Sequence, residues 1–537
     1  MRVLFSILVL GVLQNCYCQL SPTNQFTFTG GSSEAFRDMS VDEDGYLYYL
    51  IRSNSGVDEN KSFTGYDGSF HAWIIKTDPS SNSVVVDQFG YGGFGFDDLE
   101  QIMVMPESKE ILLFGESNSQ IGKDKQCPHH GQMDLVIAKL DSNGNLLWDK
   151  SFGGSNFDHF SDAVYLNGHF YVVGSSSSSG NSPYKESNLY GLSDGWLLKI
   201  NAQSGDLVFD YSFGGSENDV FTGIAIMNDV LVVSGGTRSV DGTRTVPLFD
   251  APGNIQGDAW ILELDTNGAL LQEFVFGGTG AETFDKIVVE NDSVFLMGAS
   301  TSPISGNKTS TNFGITNNYH VWFAALNEFL LKEIDMSFGG NQFDFGLDLT
   351  RKDETIYLLI QTNSEAGTGT RQLPLFSPNK DDLILYSLDK NFQIAEESIF
   401  GGVESETSTS RALITKNGQL LVGSTSLSSI SGNRTTIKRA TSTDTWYFSV
   451  DVPMNINLPE ETLVFELYPN PSDGLFTLTG EFKSLQLYDM GGKEINISTA
   501  PTTQIHEIDL RQYPSGIYML RAELQSGEYV NQKLIKH

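Results

Sequence analysis

The residue types able to do chemistry fall into a few sets. Carboxylates recur: Asp97, Asp158, Asp219, Glu282, Asp344 and Glu406 each stand four positions after a Gly-Gly pair, and Glu34 stands one position earlier in its own unit. A ring of such acids could hold a cation. A feature present in nearly every unit reads instead as scaffold, each carboxylate accepting backbone N–H bonds in its own connector and holding neighbouring units together. Cys127, His129 and His130, in CPHHG, offer a thiolate and two imidazoles of the kind zinc or copper takes, with no fourth ligand nearby. Asp42-Glu43-Asp44-Gly45, Asp141-Ser142-Asn143-Gly144 and Asp265-Thr266-Asn267-Gly268 open like calcium loops but lack the distal bidentate carboxylate. Between consecutive strands they read as hairpin turns, where Asn-Gly and Asp-Gly supply positive φ. Gly90, Gly92 and Gly95 spell G-x-G-x-x-G without the strand-to-helix setting that a dinucleotide site needs. There is no HExxH, no GxSxG and no local Ser/His/Asp grouping. No catalytic, cofactor or metal residue is therefore assigned, although scattered carboxylates leave a glycosidase pair open.

Seven long polar segments, 53–70, 117–133, 175–193, 235–257, 299–319, 362–380 and 425–443, form the variable part of the chain. Together they hold 12 basic and 8 acidic residues, while the whole chain has a net charge of −34. Aromatics are interleaved with the charges, among them Phe63, Tyr66, Phe70, Tyr184, Tyr190, Phe249, Phe313, Tyr319 and Phe376. The last segment is the most basic, with Arg434, Lys438 and Arg439 and no acid. These three, with Lys308 and Arg371, are the candidate ligand-binding residues. Guanidinium groups pair well with carboxylate or sulfate, and aromatic faces stack on sugar rings. An acidic glycan or an acidic protein surface is the partner class this pattern suggests.

What positions these residues is a repeat. Gly-Gly pairs, usually after Phe, begin at 30, 92, 153, 214, 277, 339 and 401, a period of 61–63 residues. Each unit then has an apolar strand (DAVYL, DKIVV), a turn, a second strand (FYVVGS, VFLMGAS), a long polar loop, a third strand of the form [DH]-x-[WLI]-apolar (HAWIIK, DGWLLKI, DTWYFSV) and a turn into the strand that ends in Phe-Gly-Gly. Four short strands with turn residues between them make an antiparallel blade, and seven in series predict an all-β, seven-bladed β-propeller over 19–451. The last unit stops after its third strand, and the lone N-terminal strand QFTFTGG supplies the missing one. Phe26 to Thr29 is accordingly expected to pair with Asp444 to Val450 and close the ring. The units resemble the Phe-Gly-Gly propeller repeats of secreted Bacteroidota proteins, which implies fold only.

The ends speak to destination. Met1-Arg2 precedes the short apolar run VLFSILVLGVL, which reads as a signal peptide over 1–18. No later segment is apolar and long enough to span a bilayer. Two of the three cysteines lie in that leader, so the mature chain keeps Cys127 alone and has no internal disulfide. The acidic balance argues against nucleic acid as a partner. After a linker over 452–461, residues 462–537 open with Tyr468, Pro469, Asn470 and Pro471, continue through LYDMGGKE and YPSGIYML, which contains Gly516, and end in QKLIKH, with Lys533 and Lys536. This stretch closely resembles the type A C-terminal sorting domain of the type IX secretion system. The resemblance implies a small Ig-like β-sandwich, handling by that secretion machinery, and release or attachment at the cell surface. The function expected from all of this is a secreted or cell-surface, non-catalytic propeller that binds a glycan or a protein. A secreted carbohydrate-active enzyme on the same scaffold, or a structural surface or matrix component, is the alternative.

Overall fold

The computed structural model describes residues 20–57, 60–63, 68–180, 182, 184–249, 256–313, 318–406, 409–414, 419–438, 442–451, 466–468, 472–479, 482–489, 494–495, 505–524 and 529–536. The signal segment and the linker lie outside them. Two compact units emerge, Met1–Val452 and Pro453–His537.

The first unit is a seven-bladed β-propeller of seven four-stranded antiparallel sheets. Blade 3 shows the pattern, with Asp158–Leu166, His169–Ser176, Asp194–Asn201 and Leu207–Phe213 paired in sequence order. Local chemistry sets the tight turns: Asn167-Gly168, Asn228-Asp229 and Asn291-Asp292 sit at successive positive φ between first and second strands. That is the turn whose twist matches an antiparallel pair. First strands of neighbouring blades pack against one another around the axis, as Asp158–Leu166 does with Asp219–Met227. The fourth strands lie outermost.

Apolar residues on both faces of each blade are buried against the next blade, so the core lies in the junctions. Tyr48, Leu50 and Ile74 of blade 1 meet Leu99, Ile111 and Val136 of blade 2, and equivalent clusters fill the other junctions. The [DH]-x-W pattern buries Trp73, Trp196, Trp260, Trp322 and Trp446 almost completely.

Closure occurs as expected, slightly displaced. The pairing strand is Pro22–Phe26, with Pro22 opposite Val450 and Phe26 opposite Tyr447. It reaches further back along the last strand than Phe26 to Thr29, and an irregularity between Thr23 and Phe26 carries the chain past Tyr447. The contact then continues through Thr445, whose hydroxyl donates to the Phe28 carbonyl at 2.7 Å. Phe26, Phe28, Tyr49 and Tyr447 pack with ring centroids 4.8–6.0 Å apart. Gln25 accepts the Trp446 indole N–H, the role that Gln88 plays for Trp73 in blade 1.

The second unit has two sheets, one from 466–468, 475–479 and 505–509 and one from 482–489, 494–495, 516–524 and 529–536. Phe476, Leu478 and Ile508 of the first bury against Leu487, Tyr518, Leu520 and Leu534 of the second, a small β-sandwich.

Deleting Leu20–Thr29 leaves blade 7 with three strands and an exposed edge. The expected result is a lower melting temperature by circular dichroism and loss of a single cooperative transition. An unchanged melt would show that closure contributes nothing.

Candidate functional site

Antiparallel order sends the connectors between blades and the long loops after each second strand to the same end of the ring. Beneath that face lies a seam. In all seven junctions the N–H of the recurrent acid donates to the carbonyl just before the third strand of the preceding blade: Glu34 to Thr443, Asp97 to Phe70, Asp158 to Met133, Asp219 to Ser193, Glu282 to Gly257, Asp344 to Tyr319 and Glu406 to Asp381, at 2.8–3.4 Å. All seven side chains are buried. Asp97, Asp158, Asp219, Glu282 and Asp344 each accept the N–H of the second glycine at 2.7–2.9 Å. Hydroxyls at the end of the second strand also donate to them, such as Ser117 and Ser119 to Asp97 and Thr362 and Ser364 to Asp344. Glycine is required here: a Cβ on Gly153 would lie 2.5 Å from Asp158 and 2.6 Å from Asp134, and one on Gly154 would lie 2.7 Å from Ser178. These acids are scaffold.

Facing each is the first residue of the preceding blade's third strand, Asp134, Asp194, Asp258, Asp382 and Asp444, or His71 and His320. Burial, with the neighbouring acid adding to it, pushes Asp134 and Asp194 up to about 6 and Asp382 up to about 7. Burial pushes Glu406 up to about 7 as well. Asp134, Asp194, Asp258 and Asp382 each turn one oxygen to the loop above, accepting the N–H of His130, Tyr190, Phe249 and Phe376 respectively. His71, pushed down to about 3 by burial and then by Lys61, is neutral and adds no second charge to its junction.

The basic residues of the long loops form a second series: Lys61, Lys125, Lys185, Arg244, Lys308, Arg371 and Arg434, one per blade, all buried. Each side chain turns inward under its own loop. Lys61, Lys185, Arg244 and Arg434 lie 4.8–5.6 Å over the faces of Trp73, Trp196, Trp260 and Trp446. Arg434 donates to Ser426, to the Ser428 carbonyl and to Thr436. Arg371 pairs with Glu397, and Lys308 donates to Ser310 and to Ser337. Lys308, Arg371 and Arg434, expected to meet a ligand, are therefore enclosed loop anchors, each about 1% exposed. Their charges serve buried carbonyls, hydroxyls and acids. Lys438 is half-buried, and Arg439 lies outside the described residues. Several loop aromatics likewise join neighbouring loops: Tyr184 stacks on His130 at 3.8 Å, and Phe249, Phe313 and Phe376 cover Gly306, Gly369 and Gly432 of the next loop.

The remaining motifs also have local uses. The Cys127 thiol is buried beside Tyr91 and Asp149. His129 bonds Gln120 and the Gly131 carbonyl, so the three CPHHG side chains point into different surroundings. Asp42, Asp141 and Asp265 accept N–H groups two and four residues ahead, closing their own turns. Gly90 sits in an outer strand and Gly95 just before the inner strand Asp97–Val104, so no helix follows. Among the described residues no cluster of three or more His, Cys, Asp or Glu could hold a metal.

What breaks the seven-fold pattern is the mouth of the central channel on the loop face. Phe157 and His159 stack with rings 3° apart, as do Phe343 and Phe345 at 6°. Phe157, Phe343 and Phe345 are 43–44% exposed. Blades 1, 4, 5 and 7 carry Ser33, Asn218, Ala281 and Ser405 where Phe157 and Phe343 stand. Between blades 4 and 5 a hollow of about 390 Å³ opens, lined by Ser193, Asn218, Gly236, Arg238, Thr283 and Tyr319 among others. Of these residues sequence reasoning singled out only Tyr319, because the loops were weighed as charge totals, not aligned position by position.

In the C-terminal unit, Gly516 begins the strand Gly516–Leu524 at φ 153°. Lys536 donates to the carbonyls of Tyr513 and Arg511, pinning the last strand to the turn before Gly516. Tyr468 ends a short strand and Lys533 lies in the last strand. Pro469, Asn470 and Pro471 lie outside the described residues. Residues 466–537 match the family described as the secretion system C-terminal sorting domain. The chain carries a type IX sorting tail. Such a tail directs export to the cell surface or the medium and handling by the type IX machinery. Among the described residues no helix is long and apolar enough to cross a membrane.

The comparison with curated proteins gives no match. Similar solved structures include the Neurospora crassa Pan2 WD40 domain, at 9% identity over 81% of this chain and 96% of that one, TM-score 0.41. The β-propeller domain of the Trilobed protease from Pyrococcus furiosus is 10% identical over 81% of this chain and all (100%) of that one, TM-score 0.39. An ulvan lyase of a polysaccharide lyase family is 11% identical over 76% and 92%, TM-score 0.41. Identities this low say nothing about activity.

Two outcomes follow from the buried charges. Arg434→Ala leaves buried acceptors unpaired and should cost about 3–5 kcal/mol in urea unfolding, against within about 0.5 kcal/mol for Lys438→Ala. Equal small effects would return Arg434 to the surface. The raised seam acids hold protons in the folded state that the unfolded chain, with carboxyl pKa values near ~4, releases. Their stabilising share is complete below about pH 4 and is lost as pH rises through about 6–7. His71 works oppositely between about 3 and 6.5, one group against four. The melting temperature should therefore fall from about pH 5 to about pH 8 even in high salt, where net repulsion is screened. A flat or rising profile contradicts this.

Proposed function

We propose that the protein is a secreted or cell-surface, non-catalytic propeller that binds carbohydrate at the channel mouth of its loop face. A leader at 1–18 and the type IX sorting tail would deliver it. The observation that carries this reading is the set of exposed, stacked aromatics, Phe157 with His159 and Phe343 with Phe345; at the position of Phe157 and Phe343, blades 1, 4, 5 and 7 have small or polar residues, and blade 2 has Phe96, packed against Phe70 and Arg52. An apolar face kept in water through repeat divergence marks an interaction surface, and flat aromatic faces suit the C–H faces of sugar rings. The buried loop cations do not contribute contacts to this reading, and of the expected basic set Lys438 is kept as a peripheral contact. Two acids near the mouth, Asp98 and Glu116, are paired with Arg37, Arg52 and His159, while Glu100 beside them is pushed up to about 7 by burial and by those two acids, so the parallel assay for cleavage is part of the test.

The test is a glycan array probed with the full chain, with a parallel assay for cleavage products. Phe157→Ala with Phe343→Ala and Phe345→Ala should weaken binding roughly tenfold with an unchanged melting temperature. Accumulating product would favour the enzyme, and no binding to any glycan would favour a structural component.

A further inference from the structure

We infer that the hollow between blades 4 and 5 is a subsite for an acidic sugar unit, a uronate, whose carboxylate pairs with Arg238. This rests on the carbohydrate reading above and adds a place and a chemistry to it.

At the hollow, blade 4 departs from most of its siblings at two neighbouring positions. The next-to-last residue of each second strand faces the following blade across the mouth. In blades 1 and 2 it is Arg52 and Glu116, which reach over to Asp98 at 2.6 Å and to His159 at 2.9 Å. In blade 6 it is Gln361, and in blade 7 it is Thr425, which accepts the Phe36 N–H. In blades 3 and 5 it is the small Ser175 and Ala299, and in blade 4 it is Gly236, with no side chain at all. Its backbone is not at positive φ, and a Cβ there would meet only ordinary contacts, at 3.5–3.6 Å, with Glu282 and Thr283. Neither turn geometry nor crowding requires glycine, and what the glycine leaves is space.

Two residues on, the pattern breaks again. Asn54, Asn118, Ser177, Thr301 and Asn363 use a side-chain oxygen to accept the N–H of the residue before the seam acid, namely Ser33, Phe96, Phe157, Ala281 and Phe343. Blade 7 has the apolar Leu427 there, and blade 4 has Arg238, which has no acceptor. It gives up that contact, and its Nε donates to the Gln256 carbonyl at 3.1 Å. The two terminal nitrogens have no partner among the described residues, and the side chain is exposed. A scaffold contact made in five blades is thus given up for a tethered guanidinium at the edge of a hollow.

The rest of the lining defines the ligand. Asp219 and Glu282 border the space but are spent on the seam. Asp219 accepts from Thr237, Ser239 and Gly215, and Glu282 accepts from Ser300, Ser302 and Gly278. What remains to face a ligand is the guanidinium, the Asn218 amide, the Ser193 hydroxyl and Tyr319, 38% exposed, with ring and hydroxyl. One fixed cation, hydroxyl-bonding groups and an aromatic plane suit a sugar bearing one anionic group. The volume of about 390 Å³ lies in the ~300–1,000 Å³ range of small-ligand clefts, enough for a short saccharide.

The experiment is calorimetric titration of the full chain with an oligogalacturonate, a sulfated galactan oligosaccharide and a neutral cello-oligosaccharide of equal length. The expected result is preference for the charged sugars by about tenfold or more, removed by Arg238→Gln, and loss of binding in Gly236→Gln. Glutamine is tolerated at that position in blade 6, and the melting temperature of each variant checks the fold. Tighter binding of the uronate than of the sulfated sugar confirms the carboxylate; the reverse order overturns the uronate assignment. Neutral sugars binding as well as charged ones, or binding unchanged in Gly236→Gln and Arg238→Gln, overturns the hollow while leaving carbohydrate binding at the mouth standing. Absence of binding to every sugar overturns both.

Discussion

The propeller depends on one buried interaction repeated around the ring: an acid at the start of each inner strand whose N–H bonds the preceding blade and whose carboxylate, in five blades, gathers its own connector and second strand. Hydrogen bonds to a buried charge contribute more than neutral ones, about 1.5–3 kcal/mol each, and they hold only if every partner stays in place. That requirement accounts for the two glycines of each Phe-Gly-Gly, for the serines and threonines that end the second strands, and for the short connectors. Apolar burial supplies most of the free energy, but without direction. The seam sets the angle at which one blade meets the next.

A scaffold so fully specified leaves little of each repeat free for function. The loop cations illustrate this. Seven lysines and arginines, a net positive loop set on an acidic body, would be an anion-binding face if they were exposed. They are instead buried and hydrogen-bonded beneath their loops, and four of them, Lys61, Lys185, Arg244 and Arg434, lie over tryptophan faces, where a cation–π contact is worth up to about 2 kcal/mol. The proposed binding surface lies where the repeat is broken: in the stacked aromatics of blades 3 and 6, and in Gly236 and Arg238 of blade 4.

The fold was legible because period and strand pattern are long-range regularities that composition cannot mimic. The Gly-Gly positions gave seven blades, and the unpaired terminal strand gave closure, displaced only by the irregularity near Thr23. The rule that a residue type carried by every repeat is scaffold placed the seam acids correctly. Lys61, Lys125, Lys185, Arg244, Lys308, Arg371 and Arg434 recur with nearly the same period, and the same rule applied to them would have placed them inside. Their variation between lysine and arginine, set in divergent loops, hid the series. The mouth was not legible for a different reason. Asn54, Asn118, Ser177, Thr301 and Asn363 are chemically alike only as hydrogen-bond acceptors, and what Arg238 gives up is visible only once their shared backbone partner is known.

The claim that the seam acts as one cooperative ring is tested most directly by native-state hydrogen exchange, read at the amides of Glu34, Asp97, Asp158, Asp219, Glu282, Asp344 and Glu406. The account predicts that all seven exchange only through global unfolding, with one common free energy equal to that from denaturant melts, while amides at the loop tips exchange far sooner. Seam amides that open blade by blade, each with its own lower free energy, would contradict it.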